Sequence, residues 1–169
     1  MSISLPDILS EKLTIIFCGI NPGLKSALDG HHFSGHSNRF WKVLCRAGFT
    51  PVEIAPQNDT DILKYGCGLT TAVARATSRA DELSKDEFHA AIEQFGQKME
   101  RLKPACIAFL GKAAYSAFSG KKIINWGLQD EKFCGAAVWA LPNPSGLNRG
   151  FTLVALTEYY RQLFNAISV

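Results

Sequence analysis

The sequence predicts an α/β fold with a central, mostly parallel sheet and helices on both faces. Short apolar runs of strand length alternate with longer segments of helical periodicity. The links between them are short, and that order favours parallel pairing with helices on either side. Loops rich in Gly, Pro and Asn follow the apolar runs, at the strand ends where open parallel sheets gather their ligands.

In chain order, "LTIIFCGI" (13–20) reads as the first buried strand. "SNRFWKVLCRAG" (37–48) reads as a helix with Ser37 as its N-cap and Gly48 at its end. "PVEIAPQNDTD" (51–61) has no clear period and is the segment expected to be most mobile. "CGLTTAV" (67–73) is a weaker strand because two glycines punctuate its start. In "SKDEFHAAIEQFGQKMERLK" (84–103), Ser84 and Glu87 form a capping box and the helix stops before Pro104. Its Phe88, Ile92, Phe95, Met99 and Leu102 recur every three or four residues and form one apolar face. "ACIAFLG" (105–111) and "AAVWALP" (136–142) are further strands; "KAAYSAF" (112–118) and "TLVALTEYYRQLFNAI" (152–167) are helices. No repeat, low-complexity tract or linker divides the chain, so residues 1–169 are expected to form one domain.

Composition excludes several classes. With 47% hydrophobic and 20% charged residues the chain has globular proportions, and no run reaches membrane-span length. A net charge of +3 is too small to argue for a polyanionic partner, so a nucleic-acid site has to be a local patch. The five cysteines form no CxxC and no zinc spacing with histidine. They read as free, mostly buried thiols of a cytosolic protein. The start "MSISLPDILSEK" lacks the basic and apolar regions of a signal peptide.

Three loops carry the candidate chemistry. "CGINPGLKSA" (18–27) holds Asn21 between a strand end and Pro22, with Gly19 and Gly23 permitting close backbone approach. It matches neither a Walker loop nor GxGxxG, and Asn21 reads equally well as a turn residue satisfying its own backbone. "DGHHFSGHSNRFW" (29–41) places Phe33 in a glycine-flanked loop, where position alone favours a core role over stacking on a planar ligand. Its His31, His32 and His36 suggest solvated loop positions; Gly30 and Gly35 argue against the helix that an HxxxH zinc site needs. "LPNPSGLNRG" (141–150) is stiffened by Pro142, Pro144 and Gly146, and carries Leu147 near Arg149. Two readings of Leu147 are balanced. It is either a wedge that enters a base stack or a core anchor for the last helix.

The segments "FCGINPGL", "NRFWKV", "CGLT", "LGK" and "LPNPSGL", in this order and spacing, resemble the mismatch-specific uracil-DNA glycosylases, bacterial relatives of thymine-DNA glycosylase. The resemblance covers residues 10 to 165. It implies a three-layer α/β/α sandwich with the site at the strand ends. It also implies hydrolysis of the N-glycosidic bond of uracil, and of 3,N4-ethenocytosine, flipped from duplex DNA, without metal or organic cofactor.

By the same resemblance, Asn21 orients the attacking water, and Phe33 stacks on the flipped base, reversing the preference from position alone. Ile20 and Phe33 offer backbone groups to the uracil edge beside Gly19, and Ser26 stands where the thymine methyl would sit. Leu147 is the wedge, Gly146, Asn148 and Arg149 meet the widowed guanine, and Ser145 contacts the DNA. Faster relatives carry Asp and His where this chain has Asn21 and Asn143, and slow turnover is therefore expected. The bacterial pattern carries a lysine near the base pocket at the position of Thr71. Iron–sulfur relatives are excluded by the cysteine spacing. The expected partner is double-stranded DNA with damaged or mispaired bases, bound by a monomer. A binding module that has lost turnover, and a small-molecule enzyme of the doubly wound class, are the competing readings.

Overall fold

The computed structural model of the protein describes residues 3–168. Its elements are β1 (Ile15–Gly19), α1 (Leu24–Asp29), α2 (Phe40–Ala47), β2 (Cys67–Thr71), α3 (Lys85–Leu102), β3 (Cys106–Leu110), α4 (Lys112–Ser119), β4 (Gly127–Leu128), β5 (Ala137–Leu141) and α5 (Leu153–Ile167). The strands form one sheet in the order β2-β1-β3-β5-β4. β2, β1, β3 and β5 run parallel, and the short β4 is antiparallel at the edge. The fold is a mixed α/β sandwich with three layers.

Strand alternation explains the layers. Successive side chains in a strand point to opposite faces, so a strand buried on both sides reads as a continuous apolar run. Ile15 and Phe17 of β1, Cys106, Ala108 and Leu110 of β3, and Trp139 and Leu141 of β5 join one core with α2 and α5. Ile16, Cys18, Ile107, Phe109, Val138 and Ala140 join the other with α3 and α4. Phe17 sits at the centre of the first core, with the Phe40 and Phe49 rings edge-on at 5.4 Å each. Burial raises the thiols of Cys67 and Cys106 to about 12 and pushes Cys18 up as well, which leaves all three as protonated packing groups. Cys134 is exposed and Cys45 half-buried, so burial does not extend to all five.

Most boundaries follow their capping chemistry. Ser84 and Glu87 close the reciprocal capping box of α3, and the Thr152 hydroxyl accepts from the Ala155 amide at 3.1 Å to start α5. Three expectations need correction. α2 begins at Phe40, not after a Ser37 cap, because the Asn38 side-chain carbonyl accepts from the Phe40 amide. Residues 51–61 are anchored: a 3-10 helix spans Pro56–Tyr65, and Ile54, Asp59 and Ile62 are buried. His32 is buried, with Nε2 at 2.7 Å from the Pro6 carbonyl, and desolvation lowers its pKa so that it is neutral at pH 7. The short α1 and β4 had no periodic signal at all.

The Tyr160 hydroxyl is buried and donates to the Pro142 carbonyl at 2.9 Å, tying α5 to the loop after β5. Tyr160→Phe strands that carbonyl in the core. It should lower unfolding stability by about 1–3 kcal/mol in a denaturant titration, and an unchanged midpoint would show that the bond is not structural.

Candidate active site

Four parallel strands put four loops at one end of the sheet, and a cleft of about 780 Å³ opens there. The end of β1 and the loop after it contribute Gly19, Ile20, Asn21 and Pro22, α1 contributes Ser26, and the aromatic loop contributes Phe33, Ser37 and Asn38. The loop after β5 contributes Asn143, Ser145, Gly146, Leu147 and Asn148. Ten of the twelve site residues expected from the sequence thus share one cavity. Thr71 and Arg149 do not line it. Thr71 lines a separate cavity of about 270 Å³ with Pro6, Asp7 and Lys98, its hydroxyl donating to the Val73 carbonyl. β2 is the outer strand on that edge, and the N-terminal segment runs along it through the Ser4–Arg75 and Ile8–Leu69 bridges. Arg149 lies exposed beyond the turn that carries Leu147.

The orientation of Asn21 is set by its partners. Its Nδ2 donates to the Arg75 carbonyl and to the Thr77 hydroxyl oxygen, both at 2.8 Å. The Thr77 hydroxyl spends its own proton on the Arg79 carbonyl, so it can only accept from Asn21. A carbonyl accepts and never donates, so the amide cannot be flipped. Its Oδ1 accepts nothing from the described residues, and no buried side-chain polar atom among them lacks a partner. The free end of Asn21 is therefore an acceptor open to the cleft.

Asn143 is the complement. Its Oδ1 accepts from the Ser145 amide at 2.9 Å in an Asx-type turn, which leaves Nδ2 as the free donor. The same loop closes on itself through Leu147 N–H to Ser145 Oγ and Asn148 Nδ2 to the Asn143 carbonyl. Leu147 is 75% exposed on the cleft rim, which settles its position against the core reading. Gly146 permits this geometry, since a Cβ there would meet Ser37 Oγ at 2.5 Å and the Ser37 carbonyl at 2.8 Å.

Phe33 lies stacked on Phe40, ring centroids 4.0 Å apart, and also lines the cleft. Its backbone adopts the left-handed region at φ 54°, uncommon for a bulky residue and held here by its surroundings. The Ser26 hydroxyl accepts from the Ser34 amide at 3.1 Å, so it shapes the aromatic loop from a position in the cleft wall. The Ile20 carbonyl accepts from the Val73 amide. Among the described residues no group of three or more His, Cys, Asp or Glu could hold a metal ion.

Arg75, Thr77, Asn38 and Arg39 adjoin the site residues and were not among the candidates from sequence, although Asn38 and Arg39 open the segment "NRFWKV". Arg75 and Thr77 follow β2, and only the β2-β1 pairing brings them to Asn21; the residue bridge Gly23–Thr77 continues that pairing past the strands. Arg39 holds the loop after β5 through several carbonyls.

A sequence profile of the Uracil DNA glycosylase superfamily matches residues 6–167, and the chain belongs to that superfamily. Its members are N-glycosylase hydrolases that act on DNA. The fold is also similar to the solution NMR structure of a Methanosarcina acetivorans protein proposed to be a uracil DNA glycosylase. That likeness has a TM-score of 0.69 and 20% identity and covers 99% of each chain; at this identity it is a likeness of fold.

Arg75, whose carbonyl orients Asn21, pairs with Glu87 at 2.6 Å. The Arg75 guanidinium, then the Ser84 amide, lower the Glu87 carboxyl from 4.5 to about 2. A depressed carboxyl contributes stability above its unfolded value and loses it as pH falls through the folded one. The melting temperature of the wild type should therefore exceed that of Glu87→Gln at pH 7. The gap should close between pH 4.5 and about 2; a gap independent of pH would show the carboxylate charge to be irrelevant.

Proposed function

We propose that the protein is a monofunctional, mismatch-directed uracil-DNA glycosylase. It hydrolyses the N-glycosidic bond of uracil in U·G mispairs, and of 3,N4-ethenocytosine, in duplex DNA, acting as a monomer. The observation that carries this reading is the pair of oppositely tethered amides in one cleft, Asn21 offering an acceptor and Asn143 a donor. They share that cleft with an aromatic ring and an exposed leucine.

A base flipped into the cleft stacks on Phe33, and Leu147 fills the space it leaves in the duplex. Asn21 Oδ1 accepts a hydrogen bond from a water and aims its oxygen at the sugar C1′. A neutral amide does not take the proton, so Asn21 positions the water without activating it. The C1′–N bond therefore breaks first, its electron pair leaving with the base as an anion, while Asn143 Nδ2 stabilises the charge on a base oxygen. Water adds to C1′, its proton passes to solvent, the departing base takes up a proton, and an abasic site remains. Without an acid–base pair, turnover is slow.

The Phe33 amide makes no hydrogen bond within the described residues, so it is free to meet the base edge. The binding-module reading shares the fold but gives no role to the bare Oδ1 of Asn21.

Alkali treatment of a labelled duplex with a single U·G pair reads the reaction directly. Wild type should yield strand breaks, and Asn21→Ala should lose about 100-fold or more of that rate. Binding without breaks on both uracil and ethenocytosine duplexes would favour the binding module. Leu147→Ala should lower cleavage of paired duplex at least about tenfold more than of single-stranded substrate, because unstacking costs a few kcal/mol. Equal losses would remove the wedge from the mechanism.

A further inference from the structure

Leu147 is held out in solvent by a loop with no helix or strand of its own from residue 142 to residue 151. The loop's internal turns give it shape, but they do not tie it to the body of the protein. Arg39 does. Its Nη2 donates to the Ser145 and Asn148 carbonyls at 3.0 and 2.9 Å, and its Nη1 donates to the Phe151 carbonyl at 2.6 Å. Nε reaches the Pro144 carbonyl at 3.4 Å, and the Arg39 backbone amide donates to the same oxygen at 3.0 Å. Carbonyls before and after Leu147 are thus gathered onto one planar cation. Arg39 does not line the cleft and directly precedes Phe40, on which Phe33 stacks.

The geometry points to Arg39 as the positioning residue of the wedge: it presets Leu147 for entry into paired DNA and takes no part in breaking the glycosidic bond. This rests on the glycosylase reading above. An exposed leucine has no packing of its own to hold it, so a loosened loop would have to be ordered again at each binding event. Arginine suits the task because its donors fan out in a fixed plane, whereas lysine carries the charge on one flexible point.

Arg39→Lys keeps the charge and loses the fork. It should lower cleavage of a paired U·G duplex roughly ten- to a hundredfold while changing single-stranded uracil cleavage less than about twofold. In a Leu147→Ala background the same substitution should add little on duplex, since both act through one step. Equal loss on both substrates, or full additivity with Leu147→Ala, would overturn the proposal. Should Arg39→Lys not fold, as judged by thermal melting, Arg39→Gln keeps two donors and carries the same comparison. A second arm needs no chemistry: affinity for a duplex with a tetrahydrofuran abasic analogue opposite guanine, against the same single strand. If wild type cleaves neither substrate nor an ethenocytosine duplex, the glycosylase reading fails, and this arm still decides Arg39. A duplex-specific loss of affinity in Arg39→Lys supports the clamp, and unchanged duplex affinity rejects it.

Discussion

Parallel pairing of β2, β1, β3 and β5 is the constraint on which the site depends. Neighbouring strands lie about 4.8 Å apart, so their carboxyl ends form a short row and their loops must share one edge. β1 delivers Asn21, β2 delivers the Arg75 and Thr77 groups that orient it, and β5 delivers Asn143 and Leu147. Between them, β3 ends in Gly111 at φ 107°, a conformation open to glycine, which also leaves the space beside Asn143 clear of a side chain. No single loop holds a complete site. The sheet assembles one.

The chemistry follows from which end of each amide is already taken. Asn21 gives both donors to the protein and keeps its acceptor; Asn143 gives its acceptor and keeps its donor. A neutral side chain with a fixed orientation is a good locator and a poor base. Such a cleft favours a reaction in which the leaving group carries charge early and water needs only to be in place.

Rigidity is supplied from behind the cleft. Tyr160 holds Pro142, Arg39 holds the carbonyls on both sides of Leu147, and Gly146 lets the loop sit against Ser37. Phe33 gains its fixed angle from Phe40 and Trp41, the latter pinned through its indole N–H to the His32 carbonyl. The aromatic platform and the exposed leucine therefore rest on the same stretch, residues 38–41, at the start of α2. Arg39 carries the contacts to the leucine loop, and Phe40 and Trp41 carry those to the platform.

The sequence by itself determined the layers, the parallel sheet, the capped start of α3, and the loops at 19–23 and 141–150 as the places for chemistry. These are properties of short windows: apolar runs buried on both faces, a Ser and Glu three apart, prolines and glycines in a row. It could not decide whether Leu147 faces core or solvent, since an isolated apolar residue in a loop satisfies either reading. Nor could it separate a structural Asn21 from a functional one, because both hold the same turn and differ only in which atom is left free. The family resemblance puts Thr71 at the pocket, but β2 lies at the sheet edge and Thr71 opens into a separate cavity with residues 4–7. Arg75 and Thr77 left no local trace, and Arg39, though inside "NRFWKV", showed nothing of what it holds. Their partners lie 54, 56 and more than 100 positions away, and contacts at that separation exist only once strand order has brought the loops together.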